Sequence, residues 1–292
     1  MAVAPIQQVN RWARRRRVIG RTLTYLLATG LGVLYAVPFL WMISLSLKPP
    51  TELNQVPPSF FPNVWNWSNY PEALLQPTRY FPLFFKNTFI YVGLTVFGQM
   101  LSSTLVGFGF ARIPFRGRTL LFTLVLSTMM LPNQVLLIPQ FLLFKQLGWL
   151  DSMLPLVVPN YFGSAFYIFL LRQFFMTIPR EIDEAAVMDG ANYFDIYWRI
   201  MLPLSVPVLI TVFALSFVSH WNEFFGPLIY INTREKMVVA QAMRLFVVPA
   251  MPQPIHLMMA AATASVLPVI LVFLLCQRYF VRGVALTGLR EG

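Results

Sequence analysis

Apolar residues fall along this chain in long blocks parted by short polar stretches. That pattern marks helices crossing a bilayer; a soluble core shows a 2- or 3.6-residue alternation instead. A helix needs about 20 mostly apolar residues to cross about 30 Å of hydrocarbon at about 1.5 Å per residue. Six blocks qualify: 22–47, 84–111, 119–144, 154–171, 204–221 and 259–280. Pro132 and Pro139 interrupt the third, which predicts a break or re-entrant end, and Pro159 with Gly163 interrupts the fourth. The expected fold class is an all-α polytopic membrane protein with six transmembrane helices.

Composition agrees. Of 292 residues, 57% are hydrophobic and 11% charged, against about 25% charged in soluble domains. The 22 Lys+Arg outnumber 11 Asp+Glu, for a formal net charge of +11. In a less apolar chain that excess points to nucleic acid; here it points to topology, and no nucleic acid is expected. One cysteine, Cys276, excludes an internal disulfide framework and a Cys-rich metal site.

Six spans put both termini on one side, and the basic residues choose it. Fifteen fall in the N-terminus, the 112–118 turn, the 172–199 loop and the C-terminal tail; Lys48, Arg79, Lys86, Lys145, Arg234, Lys236 and Arg244 face the other side. The positive-inside rule makes the first side cytoplasmic. The Arg14–Arg17 cluster reads as an anchor on anionic lipid, and the apolar run after it is too long for a signal-peptide core and lacks a cleavage pattern. The expected partition is a basic N-terminus (1–21), a first span (22–47), an outer loop (48–83), a five-helix core (84–281) with a cytoplasmic loop (172–203), and a tail (282–292). The outer loops 48–83 and 224–258, rich in Pro and aromatics, read as compact loops too short to be domains.

The cytoplasmic loop is the densest stretch. Pro179 precedes Glu181, Asp183 and Glu184, which sit near the positive end of a helix dipole. Gly190 provides the stop, and Asn192 is a candidate cap for a second short helix, with Asp195 three residues later, running to Ile200 and ending at Leu202-Pro203. Two short helices in an L are predicted. Ala185 and Ala186 would let another protein's surface approach the backbone. Glu181, Glu184 and Met188 share one face, mixing carboxylates with a flexible apolar tip. By pattern alone, an ordinary solvated loop helix fits as well.

The stretch Glu184-Ala185-Ala186, three residues, Gly190, nine residues, Ile200-Met201-Leu202-Pro203 resembles the EAA motif of ABC-importer membrane subunits, and it stands before the penultimate span as that motif does. The segments 39–48, 171–179, 221–224 and 278–283 add a likeness to the carbohydrate branch, in particular the second permease subunit of maltose-type systems, over nearly the whole chain. The resemblance implies a type I ABC importer fold in a bacterial cytoplasmic membrane. It implies a second permease, two ATPase subunits that bind ATP and Mg, and an extracytoplasmic solute-binding protein. It also implies that Glu184, Ala185, Ala186 and Gly190 meet the ATPase, with Asp183 and Met188 beside them. The tail 283–292 matches maltose-type tails in length and position, its ending only loosely.

Catalytic patterns are missing from the sequence. None of Lys48, Lys86, Lys145 and Lys236 follows a glycine, so there is no P-loop, and no cofactor is expected on this chain. His220 and His256 have no metal-ligand spacing. No Asp or Glu falls near the middle of a span, which disfavours an ion-coupled carrier. Candidates for a substrate path are Asn133 and Gln134 after the Pro132 break, and Ser216, His220, Trp221, Asn222 and Glu223 toward the outer end of the fifth span. His220 with Trp221 would offer a sugar a stacking face and hydrogen bonds. A packing His, an interfacial Trp, a solvated Glu and interhelical Asn or Gln bonds fit the same positions. The expected cargo is a sugar or oligosaccharide, with glycerol-3-phosphate or its diesters as the alternative; the absence of a mid-span basic residue leans toward a neutral solute.

Overall fold

The computed structural model describes residues 6–76, 80–247 and 254–288, all helix, turn and loop without a strand among them. Four helices are long and apolar enough to cross a membrane, and two bent pairs raise the number to six if each pair is one span. The chain divides into two compact units.

The first unit holds α1 (Ile6–Ser46), the loop after it, and the start of the last helix as far as Thr263. α1 begins well before the expected residue 22. Its apolar side chains stay exposed nearly to Trp41, as in a helix surrounded by lipid. Its far end is buried by a folded loop. Lys48, 1% exposed, donates to the Ser59 carbonyl and lies 5.0 Å from the Trp41 ring centre. Glu52 accepts from the backbone N–H of Asn63 and Val64, and Asn69 Nδ2 donates to the carbonyls of Ser46 and Lys48. A short helix, α2 (Asn69–Leu75), follows. Lys48, Glu52 and Asn69 thus each meet a partner within this loop, while the buried Ser59 Oγ has none among the described residues.

The second unit is built around α3 (Phe81–Arg112), which extends the expected 84–111 by one residue at one end and three at the other. Next come α4 (Arg118–Ser127) and α5 (Asn133–Gln146). They form a bent pair over the predicted third span, turned by 100° at the proline break. The fourth span opens with α6 (Leu154–Val157), passes through a 3-10 stretch (Val158–Phe162) at Pro159, and continues after Gly163 as α7 (Ala165–Thr177), six residues past the predicted end. α3 packs along α7 and the 3-10 stretch. Gly98 makes this approach possible: a Cβ there would lie 2.3 Å from the Tyr161 ring.

Then follow α8 (Arg180–Met188), α9 (Tyr193–Asp195), a π-helical stretch (Ile196–Met201) and α10 (Leu202–Leu204). The predicted second short helix is thus half π-wound and ends at Leu204, one residue beyond the expected Leu202-Pro203. It bends by 77° into the fifth span, α11 (Val206–Trp221). Two short helices, α12 (Phe225–Tyr230) and α13 (Val239–Ala242), lie in the second outer loop. That loop is tied down by Asp151, which accepts from Asn232 N, Thr233 N and Thr233 Oγ1 and pairs with Lys236 at 2.8 Å. The last helix, α14 (Ile255–Gly288), starts four residues early and runs through most of the predicted tail. The remaining four tail residues lie outside the described residues.

Candidate functional site

The segment 179–204 is set by local chemistry first. Pro179 is the N-cap of α8, and Glu181 and Asp183 occupy its first turn. At the other end Gly190 has φ +86°, Ala191 N donates to Ala186 O, and Gly190 N to Val187 O. These two bonds make a Schellman ending, which requires a residue at ease in the left-handed region. Asn192 Oδ1 then accepts from Phe194 N and Asp195 N while Asp195 Oδ2 accepts from Asn192 N, a complete capping box. Two residues thus separate the stop of one helix from the start of the next.

Packing decides which side of each helix is free. Ala186 and Ala191, the apolar pair of the Schellman ending, lie on a core of Phe108, Leu171, Phe175, Ile196, Tyr197 and Met201. Ala186 is therefore small for this chain's own packing; Ala185 is exposed. Glu181 and Glu184 are exposed and Met188 is 87% exposed, so the predicted face is free. Asp183, expected beside a partner, turns inward: its Oδ2 lies 3.1 Å from Arg112 Nε, with the two side chains 17% and 4% exposed. Arg112 Nη2 also donates to Ile178 O at 2.7 Å, so one guanidinium holds both the entry to α8 and its first turn. Burial pushes the Asp183 carboxyl up, and Arg112 opposes that shift. Ile200 is half-buried, Leu202 packs on the same core, and Pro203 is exposed.

The path candidates are dispersed. Ser216 Oγ donates to Gln99 Oε1 at 2.6 Å, His220 Nε2 lies 3.3 Å from the same oxygen, and Gln99 Nε2 donates to Asn160 Oδ1 at 3.0 Å. Tyr91 Oη closes the network 3.4 Å from His220 Nδ1. Ser216 and His220 thus fasten α11 to α3 and the 3-10 stretch. Trp221 is 3% exposed, packs on Phe89 and Phe217, and donates from Nε1 to Ser265 O. It presents no open face. Asn222 bonds back to Val218 O, and Glu223 Oε1 accepts from Gly226 N at the start of α12. Gln134 is exposed; the side chain of Asn133 lies outside the described residues. A groove of 510 Å³ lined by Phe89, Phe217, Leu267, Leu271 and Leu274 offers a sugar no hydrogen bond. No cluster of metal ligands occurs among the described residues.

Gln99, Asn160 and Arg112 escaped the sequence reading. Gln99 was visible as a polar residue inside an apolar span, and Asn160 as the neighbour of Pro159. Nothing in the pattern distinguished Arg112 from the other basic residues at span ends.

This arrangement has close relatives. The chain is 31% identical over 262 residues to the arabinooligosaccharides transport system permease protein AraQ of Bacillus subtilis, covering 89% of this chain and 92% of that one. It is 30% identical over 278 residues to the trehalose/maltose transport system permease protein MalG of Thermococcus litoralis, covering 94% and 99%. A solved bacterial ABC transporter involved in import of the acidic polysaccharide alginate matches with a TM-score of 0.79 at 25% identity, covering 91% of this chain and 98% of that chain. Residues 103–286, which include the capped α8 segment and the Gln99-bonded α11, match the family described as binding-protein-dependent transport system inner membrane component. Helices long enough to span and an exposed acidic helix clamped to the bundle suit a transport subunit, and the chain belongs to this family of ABC importer permeases.

Proposed function

We propose that this chain forms one half of the membrane path of a carbohydrate ABC importer and takes its power stroke through α8. It would pair with a second permease and two ATPase subunits, which hold the ATP and Mg, and receive sugar from an extracytoplasmic binding protein. Both termini and the 172–203 loop would face the cytoplasm of a bacterial cell. The observation that carries this reading is α8: Glu181, Glu184 and Met188 point outward while Arg112 and Ala186 fix the helix to the bundle. A lever needs a free face and a stiff mounting, and α8 has both. Glu184, Ala185, Met188 and Gly190 are assigned to the ATPase contact. Asp183, Ala186, Ile200 and Leu202 mount it, and Pro203 leads into the bend.

For the solute path, exposed Gln134 and Asn222 are the accessible polar candidates, Asn133 being adjacent. Ser216, His220, Trp221 and Glu223 hold the wall. The arabinooligosaccharides and the trehalose/maltose in two relatives' names support a sugar or oligosaccharide. The test is uptake by the assembled importer in proteoliposomes, with its binding protein outside and ATP inside. Oligosaccharides are expected to accumulate; uptake of glycerol-3-phosphate alone would overturn the sugar assignment. Met188→Glu and Glu184→Lys, both at exposed positions of α8, should leave a folded chain whose ATPases no longer respond to loaded binding protein. Normal transport by both variants would overturn the lever.

A further inference from the structure

The segment that follows α8 leaves an aromatic face that nothing among the described residues covers, and its direction indicates what does. Tyr193–Leu204 meets the span Val206–Trp221 at 77°. Spanning helices tilt by about 20° on average, so this segment lies close to the membrane plane. Its inner face is satisfied: Ile196, Tyr197 and Met201 are buried, and Tyr197 Oη shares a 2.8 Å hydrogen bond with Thr104. The π winding, with its i→i+5 repeat, keeps Ile196 and Met201 on that one face and leaves Trp198 and Arg199 outward.

The outer face is of one kind. Tyr193, Phe194 and Trp198 are 50%, 67% and 58% exposed. The rings of Phe194 and Trp198 stack with centroids 6.4 Å apart and planes within 8°. Arg199, 78% exposed, makes only a 3.6 Å contact with Asp195, whose carboxylate already serves the capping box. Aromatic rings beside a cation, on a helix lying flat, are the chemistry of the bilayer headgroup zone. Charge separates this face from its neighbour. α8 turns Glu181 and Glu184 outward, which anionic lipid repels, whereas the aromatic face offers Arg199, which anionic lipid attracts.

We propose that Tyr193, Phe194, Trp198 and Arg199 form an interfacial anchor that rests in the headgroup region beside the base of α11. The anchor would hold the elbow between lever and span at a fixed depth, so that force on α8 reaches α11 instead of bending the elbow. The lipid contact itself depends on neither the solute nor the ATPase contact, whereas its part in passing force rests on the function proposed above.

The test compares the tryptophan emission of the assembled wild-type importer with that of Trp198→Phe in lipid nanodiscs, the difference isolating one of the chain's 7 tryptophans. That difference is expected to be lost with lipids brominated near the headgroup end of their acyl chains and to be unmoved by aqueous iodide. Phe194→Trp added to the Trp198→Phe chain should restore a signal of the same behaviour, which guards against a change in folding. Quenching by iodide and not by brominated lipid would overturn the anchor. Protection from both quenchers would overturn it as well, since the face would then be covered by protein.

Discussion

Arg112→Met is the sharpest probe of how the lever is mounted. The substitution keeps much of the aliphatic stem and removes the guanidinium that meets Asp183 at 3.1 Å and Ile178 O at 2.7 Å. At an effective dielectric near 20 the pair attracts by about 5 kcal/mol before desolvation is subtracted. Truncating one partner of a buried pair costs about 3–5 kcal/mol. Asp183 is 17% exposed and regains some water on release, so the lower end, about 3 kcal/mol, is expected. The loss should be local, since α8 is held otherwise mainly by Ala186 and Ala191 on the core. Opening of residues 180–190 should become about 100-fold more frequent, at about 1.4 kcal/mol per factor of ten. Amide hydrogen exchange of these residues measures it.

The pH dependence has a definite sign. Burial raises the Asp183 carboxyl, and its Oδ1 accepts no hydrogen bond among the described residues. Without Arg112 only Arg180 is left to oppose burial, and the folded value rises further above the unfolded one. A group raised on folding favours the folded state below its unfolded value and loses that contribution as pH rises through the folded value. The Arg112→Met defect should therefore shrink on mild acidification, and Asp183→Asn should remove much of the pH effect. Unchanged exchange at 180–190, or single and double variants whose effects add without coupling, would refute the clamp.

Three further outcomes follow from the second unit. Gly98→Ala should cost about 1–3 kcal/mol by overpacking against Tyr161; thermal melting of the purified chain reads it, and Tyr161→Ala in the same chain should relieve part of the loss. Gln99→Leu leaves Ser216, His220 and Asn160 without their shared partner and should cost about 1–3 kcal/mol; melting at the wild-type temperature would show that the network carries no weight. Lys236 and then Thr233 hold the Asp151 carboxyl well below the usual carboxylate range, so the loop clamp is present above that range and is lost only as pH falls through the depressed value. Exchange at 231–237 should accordingly stay slow in mild acid, while Asp151→Asn should loosen the loop at neutral pH by about 1 kcal/mol, as suits a partly exposed pair.

By itself the sequence determined what depends on runs and neighbours. Length of apolar stretch set the spans, because hydrocarbon thickness is fixed. The breaks at Pro132 and Pro159 followed from missing N–H groups. Gly190, Asn192 and Asp195 announced the turn after α8, because caps are local hydrogen bonds. Tertiary structure decided what depends on distant partners. Only packing told Ala186, pressed on the core, from Ala185, open to a partner, although the two are adjacent and identical. Only packing drew Asp183 to Arg112, 71 positions away, and turned Ser216 and His220 toward Gln99 instead of a solute. The π winding after Asp195 also lay beyond local pattern, since a helix inserts a residue to keep Ile196, Tyr197 and Met201 on the core. A side chain's type fixes which bonds it can make, and the fold fixes which of them water or lipid no longer offers.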